Sequence, residues 1–224
     1  MPAPISIVIP TLNAEKTLPA TLAALMEGLQ AGLIRELIVT DGGSTDHTLE
    51  IADEAGAEIV AGPPSRGGQL AKGCAAAKGD WLLVLHADTV LQHGWSKPVS
   101  DHLVTGTPAA FRLAFRASGF ASTWVAGWAN LRSRLFSLPY GDQGLLVPSE
   151  MYRKAGGFPD QPLMEDVALA RSLRGITLLP SSAVTSADRY QRAGWLRRGG
   201  RNLWTLTRYF LGADPETLAR DYRR

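Results

Sequence analysis

The sequence predicts an α/β fold, with a mixed, mostly parallel sheet flanked by helices and an amphipathic helical tail at the C-terminus. Two observations predict it. Short apolar, β-branched runs alternate with segments of helical periodicity over residues 1–90, and an arginine-rich amphipathic pattern begins at residue 195. Composition agrees, because 224 residues that are 45% hydrophobic and 20% charged can bury one substantial core.

The N-terminal elements alternate strictly. Residues 5–9, Ile-Ser-Ile-Val-Ile, are short and β-branched, which is typical of a buried strand. Four leucines recur at helical spacing and predict a helix with one apolar face: Leu18, Leu22, Leu25 and Leu29. Further strands are predicted at 37–39, 58–60 and 81–85, and further helices at 48–55 and 69–78. Because strands and helices alternate, we expect parallel strands joined by right-handed crossovers.

The second half of the chain has a more mixed pattern. Apolar, strand-like runs and helical spacing still alternate, but they are interrupted by glycines and prolines that mark loops. The pattern predicts strands at 109–115, 144–147 and 176–179, and helices at 122–136, 149–155 and 165–174.

Other sequence features exclude several protein classes. The longest run without a charge, residues 117–131, is too short to cross a bilayer, and the N-terminus lacks the pattern of a signal peptide. Cys74 has no second cysteine to pair with, and no zinc-type spacing occurs. We therefore expect a cytoplasmic protein, with peripheral contact to the inner face of the membrane left open by the tail.

Polar clusters follow three of the predicted strands, at 10–15, 41–46 and 86–89. In a parallel α/β sheet, the carboxyl ends of the strands share one edge, and ligands bind there. Any single cluster could be a helix cap or a turn, as Asn13, Asp46 and the Gly42-Gly43 pair illustrate. Three clusters on one edge favour a ligand site.

Together with Glu165 and Asp166, these clusters resemble the inverting family 2 glycosyltransferases of the GT-A fold, over about residues 5–175. The resemblance implies a UDP- or GDP-linked sugar donor and a divalent cation, Mg or Mn. It implies Asp88 as the metal ligand, Asp166 as the catalytic base, and Asp41 as the residue that reads the nucleobase. The residues it assigns to nucleotide-sugar binding are Pro10, Thr11, Asn13, Glu15, Asp41, Gly43, Arg66, Gln69, His86 and Ala87.

The chemistry of these residue types agrees with that assignment. A leaving diphosphate needs its charge neutralised, which a cation held by few protein carboxylates can do. Arg66 lies in a glycine-rich loop next to a predicted helix and could clamp a phosphate, or it could be a solvated surface arginine. His86 occupies the family's first acidic metal position. It could contact phosphate, ligate a softer metal such as manganese, or simply hydrogen-bond as a neutral ring.

A loop at residues 140–144 resembles the acceptor-side loop of one subgroup within the family. The residues that the resemblance places on the acceptor side are Gly141, Asp142, Gln143 and Glu165. The segments His-Ala-Asp-Thr, Asp-Gln-Gly and Leu-Met-Glu-Asp-Val are similar to the bacterial arsenosugar-biosynthesis or radical-SAM-associated glycosyltransferases. The acceptor itself, a small molecule or a lipid-linked hydroxyl, does not follow from these residues.

Two other functions stay open. A nucleotidyltransferase can use a similar sheet, although that class usually has a glycine-rich basic loop where this chain has residues 10–13. A non-catalytic nucleotide-sugar-binding protein could keep the fold, although Asp88 and Asp166 are both present.

The tail differs from the body in charge, which predicts a domain at 1–188 and a basic helical extension at 189–224. The extension has nine arginines against three acids, while the whole chain has a net charge of +2. On a helical projection, Leu196, Leu203, Trp204, Leu206, Phe210 and Leu211 fall on one half, and Arg197, Arg198, Arg201 and Arg208 on the other. Three interpretations are open: a packed helix with a solvated arginine face, a membrane-surface helix over 195–212, or arginines that reach the donor phosphates or an oligomer partner. Nucleic-acid binding is not expected, because no recognised module occurs.

Overall fold

The computed structural model describes residues 3–223, apart from the side chains of residues 189 and 223. The described residues form one eight-stranded mixed sheet with helices on both faces, as the sequence predicts. The strands are β1 (Ile5–Thr11), β2 (Ile34–Asp41), β3 (Glu58–Ala61), β4 (Trp81–Val84), β5 (Val90–Leu91), β6 (Ala109–Phe115), β7 (Leu145–Pro148) and β8 (Thr177–Thr185). The helices are α1 (Leu18–Gln30), α2 (Thr48–Glu54), α3 (Arg66–Ala76), α4 (Ser96–Leu103), α5 (Phe120–Phe136), α6 (Ser149–Lys154), α7 (Glu165–Ser172), α8 (Asp188–Ala193), α9 (Trp195–Phe210) and α10 (Pro215–Arg223), with a short 3₁₀ helix at Gly141–Gln143.

The strand order is β3-β2-β1-β4-β7-β6-β8-β5. The first four strands in the chain pair in parallel, which confirms the parallel pairing expected for this half. β7 lies antiparallel between β4 and β6, and β6 and β8 are parallel. The carboxyl ends of β1, β2 and β4 therefore meet at one edge, where the predicted ligand site begins.

The alternation of side chains along β1 divides the core into two layers. Ile5, Ile7 and Ile9 pack on one face of the sheet with α1 and α4, whereas Val8 packs on the other with α3, α6 and α7. Burial on both faces is what a near-continuous apolar strand requires. The result is a rigid platform under the loops that follow each strand.

Helix α1 differs from the prediction in the face that it buries. Leu18 and Leu25 are buried as expected, but Leu29 is exposed, and Gly28 is buried in its place. A Cβ atom at Gly28 would lie 2.4 Å from the ring of Trp95, whose Nε1 donates to the carbonyl of Ala24 at 2.9 Å. The glycine therefore lets an indole lie against the helix, and a count of leucines alone misses this contact.

Four other elements were missing from the prediction or had different bounds. Strand β5 and helix α4 were not predicted, because two residues give no periodicity and α4 is mostly polar with a proline near its start. The strand predicted at 176–179 continues to Thr185, because Pro180 and two serines interrupt its apolar pattern without breaking its pairing with β6. Helix α3 begins at Arg66, three residues earlier than predicted.

The tail packs onto the body by part of its cationic face, so the interpretation with a solvated arginine face is wrong for Arg198 and Arg201 and holds only for Arg197, which is exposed. The side chains of Arg198, Arg201 and Asn202 point inward and are partly buried, while most of the apolar half of α9 is exposed. Leu206 is the apolar exception, and it joins Leu218 in a small cluster with α7. The arginines turn inward because Tyr222 offers them a ring face and two oxygen acceptors. The domain boundary at 188/189 stays a prediction.

Within residues 3–223, none of the helices is both long enough and apolar enough to traverse a bilayer.

Candidate active site

A cleft formed by two adjoining cavities opens at the carboxyl ends of β1 and β4. The first, the β1 cavity, has a volume of about 730 Å³ and is lined by residues 10–14, the start of α3 and part of α10. The second, the α7 cavity, has a volume of about 300 Å³ and is lined by the 3₁₀ helix, the start of α7 and residues of α8 and α9. Eight of the described residues line both cavities. Two of them are Thr17 and Leu163, and we call the other six the junction: Arg66, His86, Asp88, Asp142, Arg198 and Tyr222.

Asp88 follows the buried strand β4 and is half-buried at the junction. The described residues contain no group of three or more His, Cys, Asp or Glu side chains arranged to hold a metal ion. A single carboxylate still fits a hard cation that takes its other ligands from phosphate oxygens and water, as magnesium commonly does. The site therefore suits a cation bound together with a diphosphate, and does not suit one held by protein alone.

His86 is held by Asp142 across the junction. Its Nδ1 lies 3.1 Å from Asp142 Oδ1, and its Nε2 lies against Gly141, where a Cβ atom would be 2.5 Å away. Burial alone would lower the pKa of His86, but the hydrogen bond with Asp142 and nearby carboxylates outweigh it and raise that pKa. The ring is thus biased toward its cationic form, which favours contact with phosphate over ligation of a metal.

Arg66 begins α3 and projects into both cavities. Ser65 caps the helix by accepting from the Gly68 N–H at 3.2 Å. The cap fixes the start of α3 and therefore the backbone position of Arg66. Its Nε lies 3.7 Å from Oε1 of the buried Glu165. The arginine is therefore anchored at its base while part of its side chain remains exposed to the cleft.

Asp166 lies in the first turn of α7 and reaches the α7 cavity. Its Oδ2 accepts from the Gly141 N–H at 2.6 Å, which fixes the carboxylate beside the junction. Glu165 points the other way and is buried, and its Oε2 has no hydrogen-bond partner among the described residues. Burial, reinforced by Asp166 and opposed by Arg66, raises the pKa of Glu165. The two adjacent acids therefore differ in environment: Asp166 reaches the α7 cavity, whereas Glu165 is buried.

Two polar residues tie the loop after β1 to its neighbours. The Asn13 backbone is left-handed, with φ 51°, and Asn13 Oδ1 accepts from the Thr45 N–H at 2.9 Å. It is a bridge between loops and does not cap a helix. Gln69 Nε2 donates to the carbonyls of Thr11 and Thr40, at 2.8 and 2.7 Å, and so joins the ends of β1 and β2.

Asp41 lies beneath the wall of the β1 cavity and is 2% exposed. Its carboxylate accepts four hydrogen bonds, from the N–H groups of Gly43 and Ser44 and the hydroxyls of Ser44 and Thr11. Burial acts to raise the pKa of Asp41, but these hydrogen bonds outweigh it and leave that pKa below its ordinary value of 3.8. In this conformation, the side chain shapes the turn after β2.

The predicted site residues therefore fall into two groups. Those that line the cleft are Pro10, Thr11, Asn13, Arg66, Gln69, His86, Ala87, Asp88, Gly141, Asp142 and Asp166. Those that support it from outside its lining are Glu15, Asp41, Gly43, Gln143 and Glu165. Gln143 is fully buried between Ser133 and the carbonyl of Phe111, so the structure gives it no place on the acceptor side of the cleft. Glu15 is engaged by His47 at 3.0 Å.

The cleft also contains residues that the sequence did not single out: Tyr190, Arg192, Asn202 and Tyr222. Arg198 donates to the hydroxyl of Tyr222 and Arg201 to its carbonyl, both at 2.6 Å. The Nε atoms of both arginines are buried without a hydrogen-bond partner among the described residues. The spacing of Arg198, Arg201 and Asn202 at i, i+3 and i+4 puts them on one helix face, but spacing cannot say that this face turns inward.

Replacing Asp41 by alanine is expected to lower the free energy of unfolding by about 2 kcal/mol, because two partly buried N–H groups and the buried hydroxyl of Thr11 lose their acceptor. The loss is expected at neutral pH. Because the folded-state pKa of Asp41 is lowered, its stabilisation is present above pH 3.8 and disappears as the pH falls through that lowered value. Urea unfolding of D41A and wild type should therefore converge in acid. The exposed Asp101→Ala is the control, and an equal loss there would contradict the assignment.

Comparison with known proteins gives the family. The family model described as "Glycosyl transferase family 2" matches residues 6–146. The chain belongs to glycosyl transferase family 2. An uncharacterized family relative of Mycobacterium tuberculosis (strain ATCC 25618 / H37Rv) is 32% identical over 123 residues, which is 54% of each chain. Glucosyl-3-phosphoglycerate synthase of M. tuberculosis is 35% identical over 98 residues, which is 40% of this chain and 30% of the relative. The chain thus spans about half the length or less of these curated relatives.

Similar solved structures confirm the GT-A fold. S. aureus TarS 1-349 in complex with UDP matches with a TM-score of 0.64 at 16% identity, over 84% of this chain and 62% of the other. The M. tuberculosis glucosyl-3-phosphoglycerate synthase in complex with Mg²⁺ and UDP matches with a TM-score of 0.58 at 23% identity, over 82% and 69%. At these identities, the match establishes the fold alone.

Proposed function

We propose that this chain transfers a sugar from a nucleotide-sugar donor to a hydroxyl acceptor, with inversion at the anomeric carbon and with help from a divalent cation. The observation that carries the proposal is the junction: Asp88 and Arg66 line both cavities, and Asp166 lies next to them in the α7 cavity. One cavity is large enough for a nucleotide and the other for a small acceptor group. A reaction between their contents would take place at the junction.

The β1 cavity is the proposed donor site. Pro10, Thr11 and Asn13 line it directly, and a base N–H that reached Asp41 would replace one of its four present donors. Gly43 and Glu15 support that wall. Similar solved structures in complex with UDP support a UDP-linked donor. A GDP-linked donor is the alternative against which it should be tested.

The junction is the proposed diphosphate site. Arg66 and the inward-facing Arg198 supply positive charge there, and charge-assisted hydrogen bonds from them suit phosphate oxygens; the His86 ring lines the same place. A bound Mg²⁺ or Mn²⁺, held by Asp88, would neutralise charge that develops on the leaving diphosphate. Structures of a family member with Mg²⁺ or Mn²⁺ support this choice of cation.

The α7 cavity is the proposed acceptor site, with Asp166 as the general base. An attacking hydroxyl must lose its proton as the new bond forms, and a fixed carboxylate is suited to accept it. The Gly141 N–H holds Asp166 in place without neutralising it. Attack from this side, opposite the departing diphosphate, inverts the anomeric centre. Asp142 orients His86 and shapes the same wall.

The acceptor class rests on the sequence alone. We propose membership in the arsenosugar-biosynthesis or radical-SAM-associated subgroup, on the segments at 86–89, 142–144 and 163–167. Either a small-molecule or a lipid-linked hydroxyl could enter the open α7 cavity.

The proposal is tested by a thermal-shift and turnover screen of UDP- and GDP-sugars, with and without manganese. A donor that binds the native state raises the melting temperature, and manganese should increase that shift only when a nucleotide is present. Asp88→Asn is expected to reduce metal-dependent turnover on the order of 100-fold or more. Asp101→Asn, an exposed aspartate on α4, is the matched control.

Two outcomes would replace the proposal. Release of pyrophosphate from a nucleoside triphosphate and a sugar phosphate would identify a nucleotidyltransferase. Donor binding by calorimetry, with neither hydrolysis nor transfer to any acceptor, would identify a non-catalytic binding protein.

A further inference from the structure

Helices α5 and α9 lie side by side and turn apolar faces to the outside of the protein. Of the seventeen large hydrophobic side chains exposed among the described residues, eleven belong to these two helices or directly follow one of them. We call this set the α5–α9 surface: Phe120, Trp124, Trp128, Leu131, Leu135, Phe136, Leu196, Leu203, Trp204, Phe210 and Leu211. A soluble monomer rarely exposes so concentrated an apolar surface without a partner for it.

Exposure along this surface is substantial. Phe120 and Leu211, near its ends, are 85% and 80% exposed, and Trp204 in the middle of α9 is 61% exposed. Between the helices lies an open groove of about 750 Å³, with Trp128 on one wall and Leu203 on the other. Six of the eleven side chains line this groove from both helices, which joins the two apolar faces: Trp128, Leu131, Leu135, Phe136, Leu203 and Phe210.

The charged side chains that α5 and α9 themselves contribute are all basic. Neither α5 nor α9 contains an aspartate or glutamate. Arg134 and Arg197 are exposed on the same two helices, and Arg171 and Arg174 are exposed at the groove. The next acids in sequence belong to the segment after α9, and one of them, Asp221, pairs with Arg208 of α9 at 2.7 Å. An apolar face with tryptophans and a basic rim complements an interface of anionic lipid.

We infer that the α5–α9 surface docks on the headgroup region of an anionic lipid bilayer. Three tryptophans on one surface suit this environment, because an indole places an apolar body among acyl chains and its N–H near the headgroups. The arrangement differs from a simple amphipathic helix, because Arg198 and Arg201 on the polar face of α9 line the cleft and do not face the lipid. The rim arginines therefore supply the attraction to lipid. The inference does not depend on the proposed transfer reaction.

The test is flotation of the full chain with two kinds of vesicle, phosphatidylcholine alone and phosphatidylcholine mixed with phosphatidylglycerol. The wild type should float with the anionic vesicles at low salt, and less at high salt. The double variant Trp128→Glu/Trp204→Glu should lose about tenfold or more of this binding, because two carboxylates would enter the apolar layer. The double variant Arg134→Gln/Arg197→Gln should weaken binding to the anionic vesicles and leave binding to the phosphatidylcholine vesicles unchanged.

The control is Met26→Glu/Val104→Glu, which changes two exposed apolar side chains away from this surface and should float as the wild type does. Melting temperatures of all variants establish that they fold. Wild-type protein that stays in the soluble fraction at low salt would overturn the inference. So would a Trp128→Glu/Trp204→Glu variant that floats normally. Light scattering that shows a wild-type dimer, converted to monomer by that variant, would instead assign the surface to a second copy.

Discussion

Asp166→Asn is expected to reduce turnover by about 10²- to 10⁴-fold, which is the usual contribution of a positioned general base. Asparagine keeps an oxygen that can accept from the Gly141 N–H, so the local geometry should persist. The amide cannot take up the proton of an attacking hydroxyl. The affinity for the nucleotide should be unchanged, because Asp166 lines the α7 cavity and is not among the residues that line the β1 cavity.

The measurement is steady-state turnover together with donor affinity by calorimetry. Asp188→Asn is the matched control, since Asp188 is a second carboxylate in the lining of the same cavity. A large loss for Asp188→Asn with normal turnover for Asp166→Asn would move the base to α8. A loss of donor binding in Asp166→Asn would show that the residue supports the donor site and is not simply a base.

Gly67→Ala is expected to destabilise the protein by about 3 kcal/mol or more, the range of severe overpacking. A Cβ atom at this position would lie 1.9 Å from the carbonyl oxygen of Pro159 and 2.8 Å from the nitrogen of Gln161. Both are backbone atoms, so a side chain cannot rotate to make room. The Gly67 N–H also donates to the Gln161 carbonyl at 3.2 Å, and separation of the two segments would break that bond.

Urea unfolding provides the measurement, and Gly127→Ala provides the control. Gly127 lies within α5, and a Cβ atom there would meet no neighbouring atom within 4 Å, so alanine should stabilise by up to about 1 kcal/mol. Because Arg66 precedes Gly67, turnover of Gly67→Ala should also fall at temperatures where it remains folded. A Gly67→Ala protein within about 0.5 kcal/mol of wild type would contradict the close contact described here.

The sheet could be predicted from sequence where local pattern and tertiary packing agree. The residues of β1 are mostly apolar on both faces, so the burial of its isoleucines and valine follows from their identity alone. Because the strands are parallel, it then follows that residues 10–15, 41–46 and 86–89 lie at the same edge of the sheet. Helix α4 and most of the extension of β8 could not be predicted, because their polar residues are stabilised by partners distant in sequence.

The individual roles of site residues were harder to predict than their location. Asp41 and Gln143 have the residue types of ligand contacts, yet buried donors and acceptors of the fold already use their polar atoms. Sequence periodicity separated the two faces of α9 correctly. It could not reveal which face meets the protein, because Tyr222 attracts the arginines from another helix.

The two cavities of the cleft are built from different stretches of the chain. The β1 cavity draws mainly on loops within the first 90 residues, whereas much of the α7 cavity comes from residues 163–222, beyond the stretch 6–146 that the family model matches. Substitutions in the later stretch can therefore accumulate during evolution without disturbing the loops that hold the other cavity. Descendants of one ancestor could in this way inherit a common donor pocket and diverge in what they glycosylate.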